Sequence, residues 1–146
     1  MKRKYHLSRL RSGLLVLRAA VGGAGAVVPV TLLIDTGATY TMMRPDILKR
    51  VGCDLDHPLQ EISIVTAGGM LTAPMVAVPW FPCPGQRISS WKVVAHLLPT
   101  GIREHAAGLL GMDFLARFGA VIHTGRAEIW LEGEPETLSG IACSDK

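Results

Sequence analysis

The sequence predicts a mostly β single domain, and three observations predict it. Apolar runs rich in β-branched residues recur along the chain, each closed by Gly, Pro or a small polar loop. Only two segments carry helical spacing, and both are short. The 146 residues suffice for one domain and leave no room for two full ones, and 16 glycines with 9 prolines suit a turn-rich chain better than a helical bundle.

Taken in order, residues 1–13 read as a basic N-terminal arm, 14–131 as the domain and 132–146 as an acidic, loosely ordered tail. Leu14–Val21 is apolar apart from Arg18. Gly22-Gly23-Ala24-Gly25 supplies a turn, and Val27–Ile34 returns as the second strand of a hairpin. Pro29 has no N–H for a ladder, which places it at an edge or moves the start of that strand later. A small polar loop, Asp35–Thr39, follows at once. Pro45–Val51 reads as the first helix: Pro suits the first turn, Ile47, Leu48 and Val51 fall at helical spacing, and Gly52 suits the position after the end. Asp54–Pro58 is a loop. Glu61–Thr66 and Leu71–Val78 form a hairpin across Ala67-Gly68-Gly69-Met70. Trp80–Gly85, with Pro82 and Pro84, is expected to be irregular, and Ile88–Leu98 to resume as a strand. Met112–Phe118 is the second helix, ended by Gly119. Ala120–His123, the Thr124-Gly125-Arg126 turn and Ala127–Leu131 make a closing hairpin.

Composition excludes several classes. Apolar residues at 49% and charged residues at 18% argue against global disorder. No apolar run approaches the length of a spanning helix. Cys53, Cys83 and Cys143 are odd in number and far apart, which argues against a disulfide framework and a thiolate zinc site, and favours a reducing, cytoplasmic setting. His6, His57, His96, His105 and His123 never fall at metal-ligand spacing, so neither a metal nor any other cofactor is expected. Cys83, between two prolines, reads as an inert thiol, and Trp80, Trp91 and Trp130 as core or interface residues.

The net charge of +3 conceals an asymmetry. Lys2, Arg3, Lys4, Arg9, Arg11 and Arg18 all precede the first acid, Asp35, and the remainder is net acidic. A secretory signal is disfavoured because Arg18 interrupts the apolar stretch. A solvated, frayed terminus, an organelle presequence and a nucleic-acid or membrane-surface arm all fit, the last disfavoured by the lack of interleaved aromatics.

The chemistry concentrates at Leu32-Leu33-Ile34-Asp35-Thr36-Gly37-Ala38-Thr39. A carboxylate directly after three apolar residues is placed at the margin of a core, where burial works against its charge. Gly37 allows a sharp turn and close approach, and Thr36 and Thr39 offer hydroxyls to hold the loop. The alternative is an ordinary strand end at which Asp35 caps backbone amides.

This loop resembles that of the retropepsin-like aspartic proteases, in particular their bacterial and retroelement single-domain relatives. Val65-Thr66-Ala67-Gly68-Gly69-Met70, about thirty residues downstream, resembles the flap. Gly108-Leu109-Leu110-Gly111 before Met112-Asp113-Phe114-Leu115 resembles the second apolar-apolar-Gly element, and the hairpin of residues 120–131 has the expected place. The resemblance implies a single-domain retropepsin-like acid protease barrel with two short helices, working as a C2 homodimer on polypeptide substrates. It implies catalytic roles for Asp35, Thr36 and Gly37, with Thr36 of each copy bonding across the interface. Ala38, Thr66, Ala67, Gly68, Gly69 and Met70 would bind substrate.

Amide hydrolysis by carboxyls needs one ionised group to activate water and one protonated group to polarise the carbonyl, and two carboxylates about 3 Å apart share one proton. This chain has one D-T-G. Asp113 sits at a helix start, where an acid favours free amides and the dipole, so the second carboxylate is expected from Asp35 of another copy. A dimer of the same fold that cleaves little and serves as an assembly or recruitment module is the alternative. A nucleic-acid-associated protein is the disfavoured third.

Overall fold

The computed structural model describes residues 2–23, 25–66, 68–83 and 86–132. Ala67 and the tail from residue 133 onward lie outside them. The described strands are β1 (Lys2–His6), β2 (Ser8–Arg9), β3 (Leu15–Gly23), β4 (Ala26–Ile34), β5 (Met42–Met43), β6 (Gln60–Thr66), β7 (Gly69–Cys83), β8 (Gln86–Ala95), β9 (Gly108–Leu110), β10 (Val121–His123) and β11 (Glu128–Glu132). The helices are α1 (Pro45–Arg50), α2 (Thr100–Arg103) and α3 (Met112–Arg117). The fold is mostly β, as the sequence predicts, and α1 and α3 stand where helical spacing placed them. The single turn of α2 follows Pro99 in a stretch too short to show periodicity.

Eight strands join in the order β2-β3-β4-β9-β5-β8-β7-β6, and β3 also meets β7, which curls the sheet back on itself. Alternation along the strands fills the inside. Val21, Leu32, Met43, Val78, Phe81 and Val93 are fully buried, and Leu48 from α1 and Phe114 from α3 join them. An aromatic group anchors this core: the Trp91 ring stacks on Phe81 at 6.3 Å and meets Phe114 edge-on at 5.9 Å.

Three expectations change. Gly22 and Gly23 are not a turn but the end of β3. A Cβ on Gly22 would overlap the Trp80 ring, and one on Gly23 the Val51 carbonyl oxygen. These glycines therefore serve close approach, letting β7 cross β3 where Gly22 pairs with Trp80. Trp80–Cys83 of the Trp80–Gly85 stretch is not irregular: β7 runs on to Cys83, with Phe81 opposite Ile88 and Pro82 opposite Arg87, while Pro84 and Gly85 lie outside the described residues. Burial of Phe81 holds this extension in place. Past Trp80 the far side of β7 has no partner strand among the described residues, so Pro82 forfeits no ladder bond there. Pro29 is tolerated for the same reason, because β9 pairs with β4 only from Leu32 to Ile34.

The basic start is not a frayed terminus. Lys2–His6 pairs along its whole length with β11, and β10 completes a three-stranded sheet. Ile129 and Leu131 turn into the core from the middle strand. Lys4 Nζ stands 3.6 Å from Glu128 and 5.7 Å from the Trp130 ring centre, and Arg126 Nε donates to Glu128 at 3.3 Å. The ladder with β11 holds the arm, and charge across the pair, invisible in a composition count, adds to it.

Glu128 is buried, which by itself would raise its pKa, yet Lys4 and Arg126 outweigh that and hold the carboxyl below the ordinary glutamate value. A depressed folded-state pKa contributes stability that is fully present above the unfolded value and disappears as pH falls through the folded one. Glu128→Gln is therefore expected to melt below wild type at neutral pH, with the two curves converging as the pH is taken down into the acid range below the ordinary glutamate value. Thermal melts across that range check it, and parallel curves would show that the carboxylate adds nothing.

Candidate active site

The site begins with a strand inserted between two others. β4 delivers the chain to Asp35, the loop turns, and β5 leaves it. β9 lies between them, parallel to β4 through Leu32–Gly108, Leu33–Leu109 and Ile34–Leu110, and antiparallel to β5 through Met42–Leu109 and Met43–Gly108. The two flanking strands can come this near only because β9 is framed by glycine. A Cβ on Gly108 would collide with the Met42 carbonyl oxygen, and one on Gly111 would lie 2.6 Å from the Tyr40 carbonyl oxygen and 2.9 Å from that of Ala38.

Backbone bonds then set the loop. The Asp35 N–H donates to Leu110 O at 3.1 Å and the Ala38 N–H to Asp35 O at 3.2 Å. From the far side, the Met112 N–H donates to Ala38 O at 2.8 Å and the Asp113 N–H to Thr39 O at 3.1 Å. The carboxylate itself is positioned by Gly37, whose N–H donates to Asp35 Oδ1 at 3.0 Å. Asp35 is half-buried, facing an open space rather than the core.

A buried polar bridge locks the loop to α3. Thr41 is fully buried. Its hydroxyl donates to Asp113 Oδ1 at 2.8 Å and accepts from the Gly111 N–H at 3.2 Å, and its own N–H donates to Asp113 Oδ2 at 3.0 Å. Asp113 Oδ1 also accepts from the Phe114 N–H at 2.8 Å. Asp113 is thus occupied at the helix start, as its position in the sequence suggests. Thr41 was not legible: nothing in Tyr40-Thr41-Met42 marks one hydroxyl as buried until β9 is known to pass beside it.

A cleft of about 580 Å³ opens in front of Asp35. Gly37, Ala38 and Tyr40 line it from the loop, Met42 and Leu109 from the inserted strands, and Ser63–Val65 from β6. Of the residues expected at the site, Asp35, Gly37 and Ala38 meet there. Thr36 is exposed on the turn. Thr66 pairs with Gly69 at the end of the β6–β7 hairpin, with Gly68 between them, and Met70 is exposed there. Of the described residues at the hairpin tip, Gly68, Gly69 and Met70 line no part of the cleft in one chain, and Ala67 lies outside the described residues. Tyr40, Met42 and Ser63 are additions that the sequence offered no motif to find, and Leu109, from the Gly108–Gly111 element, joins the cleft wall. Among the described residues no cluster of His, Cys, Asp or Glu could hold a metal ion.

The family model described as "Aspartyl protease" matches residues 17–114, from β3 into α3, and so includes the inserted strand, the Asp35 loop and the hairpin. The chain belongs to the aspartyl protease family. A solved retropepsin-like aspartic protease from Rickettsia conorii has the same fold, with a TM-score of 0.66 and 23% identity over 90% of this chain and 91% of that one. No curated protein matches the chain significantly. The protein is a hydrolase, an aspartic-type peptidase of retropepsin-like fold.

Thr41→Val in this peptidase leaves a buried amide and carboxylate short of a partner, a loss of about 1–3 kcal/mol. Its Tm is expected to fall by roughly 3–10 °C, while Thr41→Ser keeps the bridge and melts near wild type. Equal melting of Thr41→Val and wild type would remove the bridge as the anchor of the loop. Gly111→Ala is expected to destabilise more than Thr41→Ser, because backbone atoms, not a flexible side chain, occupy the space.

Proposed function

We propose that the peptidase is an aspartic endopeptidase whose active site forms at the axis of a C2 homodimer, with Asp35 of each copy supplying one carboxyl. One observation carries this reading: among the described residues the cleft holds a single available carboxylate, Asp35, while Asp113 nearby is already filled by Thr41 and the Phe114 amide. Isologous pairing brings the same loop from both copies to the axis. Met112, whose amide holds Ala38, leaves 41% of its surface exposed beside that loop, apolar area that a second copy would cover.

In the pair, two carboxyls at about 3 Å share one proton. The ionised one takes a proton from water as its oxygen attacks the scissile carbonyl carbon, and the protonated one donates to the carbonyl oxygen. The tetrahedral intermediate then collapses as a carboxyl proton passes to the leaving nitrogen. The Gly37 N–H keeps each Asp35 oriented throughout. Thr36 of the two copies would bond across the axis. Thr66, Ala67, Gly68, Gly69 and Met70 would close over an extended polypeptide and exclude water, and Ala38 would meet its backbone.

Asp35→Asn is expected to lower peptide cleavage by roughly 10²–10⁴-fold or more. The mixing experiment separates a shared site from a self-contained one. Added Asp35→Asn protein should suppress wild-type cleavage of a peptide mixture, read by mass spectrometry, because mixed dimers hold one carboxyl. Activity that stays proportional to wild type at every mixing ratio would place the whole site in one chain.

A further inference from the structure

The three-stranded sheet β1-β11-β10 has one face on the core and one away from it. Tyr5, Ile122, Ile129 and Leu131 pack inward, so the residues between them along each strand point outward. Residues directly opposite in a ladder share a face. The register therefore sets two rows on the outside: Lys4, Trp130 and Val121, then His6, Glu128 and His123. Trp130 is the centre of the first row. It is half-buried, with Lys4 Nζ 5.7 Å from its ring centre on one side and the exposed Val121 on the other.

Positive charge surrounds this ring. Lys2, Lys4 and Arg126 are exposed on or beside the face, and Arg3 is exposed on the neighbouring edge strand. Arg9 is also exposed and is brought here by its guanidinium, which donates to the Thr124 carbonyl at the β10–β11 turn and keeps its charge. Two carboxylates stand among these cations, Glu128 beside Lys4 and Arg126, and Glu132 opposite Lys2. Even with both carboxylates counted at full charge, the five cations leave the face positive. Lys2 and Lys4 project about 7 Å apart along β1. The sequence of the arm has no interleaved aromatic beyond Tyr5, but the ladder supplies one from β11.

A ring set among cations on a sheet meets both parts of a single-stranded nucleic acid, since a base can stack on the ring and phosphates can meet the charge. A bilayer fits less well. Among the described residues of this face only Val121 is a large apolar side chain standing exposed, which is too little to insert beside a half-buried Trp130. We propose that the outer face of the β1-β11-β10 sheet binds single-stranded nucleic acid, with a base stacked on Trp130 and phosphates held by the cations around it. The proposal is independent of where the catalytic carboxyl pair forms.

The test is fluorescence anisotropy of labelled oligothymidylate and oligouridylate titrated with the full wild-type chain over a range of salt. A dissociation constant of roughly 1–100 μM is expected near physiological salt, and about three phosphate contacts give a slope of log K against log salt of about −2. Lys2→Gln/Arg3→Gln, two exposed positions that leave the Lys4–Glu128 pair in place, should weaken binding and reduce that slope by roughly one. Trp130→Leu should weaken binding roughly fivefold or more, and Trp130→Phe by less, because Phe keeps a ring for stacking. No binding to either oligomer at low salt overturns the proposal. So does binding that either Trp130→Leu or the double variant leaves unchanged. Binding to phosphatidylserine vesicles without binding to the oligomers also overturns it and assigns the face to an anionic bilayer.

Discussion

Everything at this site depends on one packing constraint: β9 must fit between β4 and β5. Strands of one sheet run about 4.8 Å apart, so the loop from Asp35 to Thr41 has to arch over the end of β9. Side-chain volume at Gly108 or Gly111 would push β5 and the loop outward. With both positions empty, Leu110 O receives the Asp35 N–H and β9 supports the residue immediately before the carboxylate. The position of Asp35 is thus a consequence of sheet closure, not of a loop holding itself.

Charge is distributed around that constraint in a consistent way. Asp113 is buried partly and saturated with donors, a structural anion that fastens α3 to the loop through Thr41. Among the described residues Asp35 has one donor, the Gly37 N–H, and it lines the cleft. A carboxylate whose acceptors are filled by its own chain is committed to holding the fold, whereas one with open lone pairs can meet a molecule in the cleft.

How much of this the sequence revealed follows from the range of each interaction. Local signals were legible: the Leu32–Thr39 motif, the Pro45 and Met112 helix starts and the Gly68-Gly69 turn depend on neighbours in the chain. What was not legible depended on contacts across the fold. Gly22-Gly23 looked like a turn because glycine permits turning and close approach alike, and only the Trp80 ring distinguishes them. Pro82 argued against a strand, yet an unpartnered strand side and a buried Phe81 reverse that argument. Lys2–His6 looked free because Glu128, its charge partner, lies over a hundred residues away. Thr41 was hidden for the same reason.

The terminal strands matter for the reading of a two-copy site. β1 satisfies its ladder on β11 of its own chain, and Glu128 holds it there through Lys4. The arm therefore completes a sheet within one molecule and does not depend on a second copy for pairing. On the proposed two-copy reading, the axis would rest on the surface around the Asp35 loop, where Thr36 and Met112 stand exposed beside Ala38. A small contact of that kind binds weakly by itself. On the same proposed reading, a substrate spanning both copies would add its own buried area to each, so peptide binding and pairing would reinforce each other by mass action, and assembly of the carboxyl pair would be coupled to the presence of what it cuts.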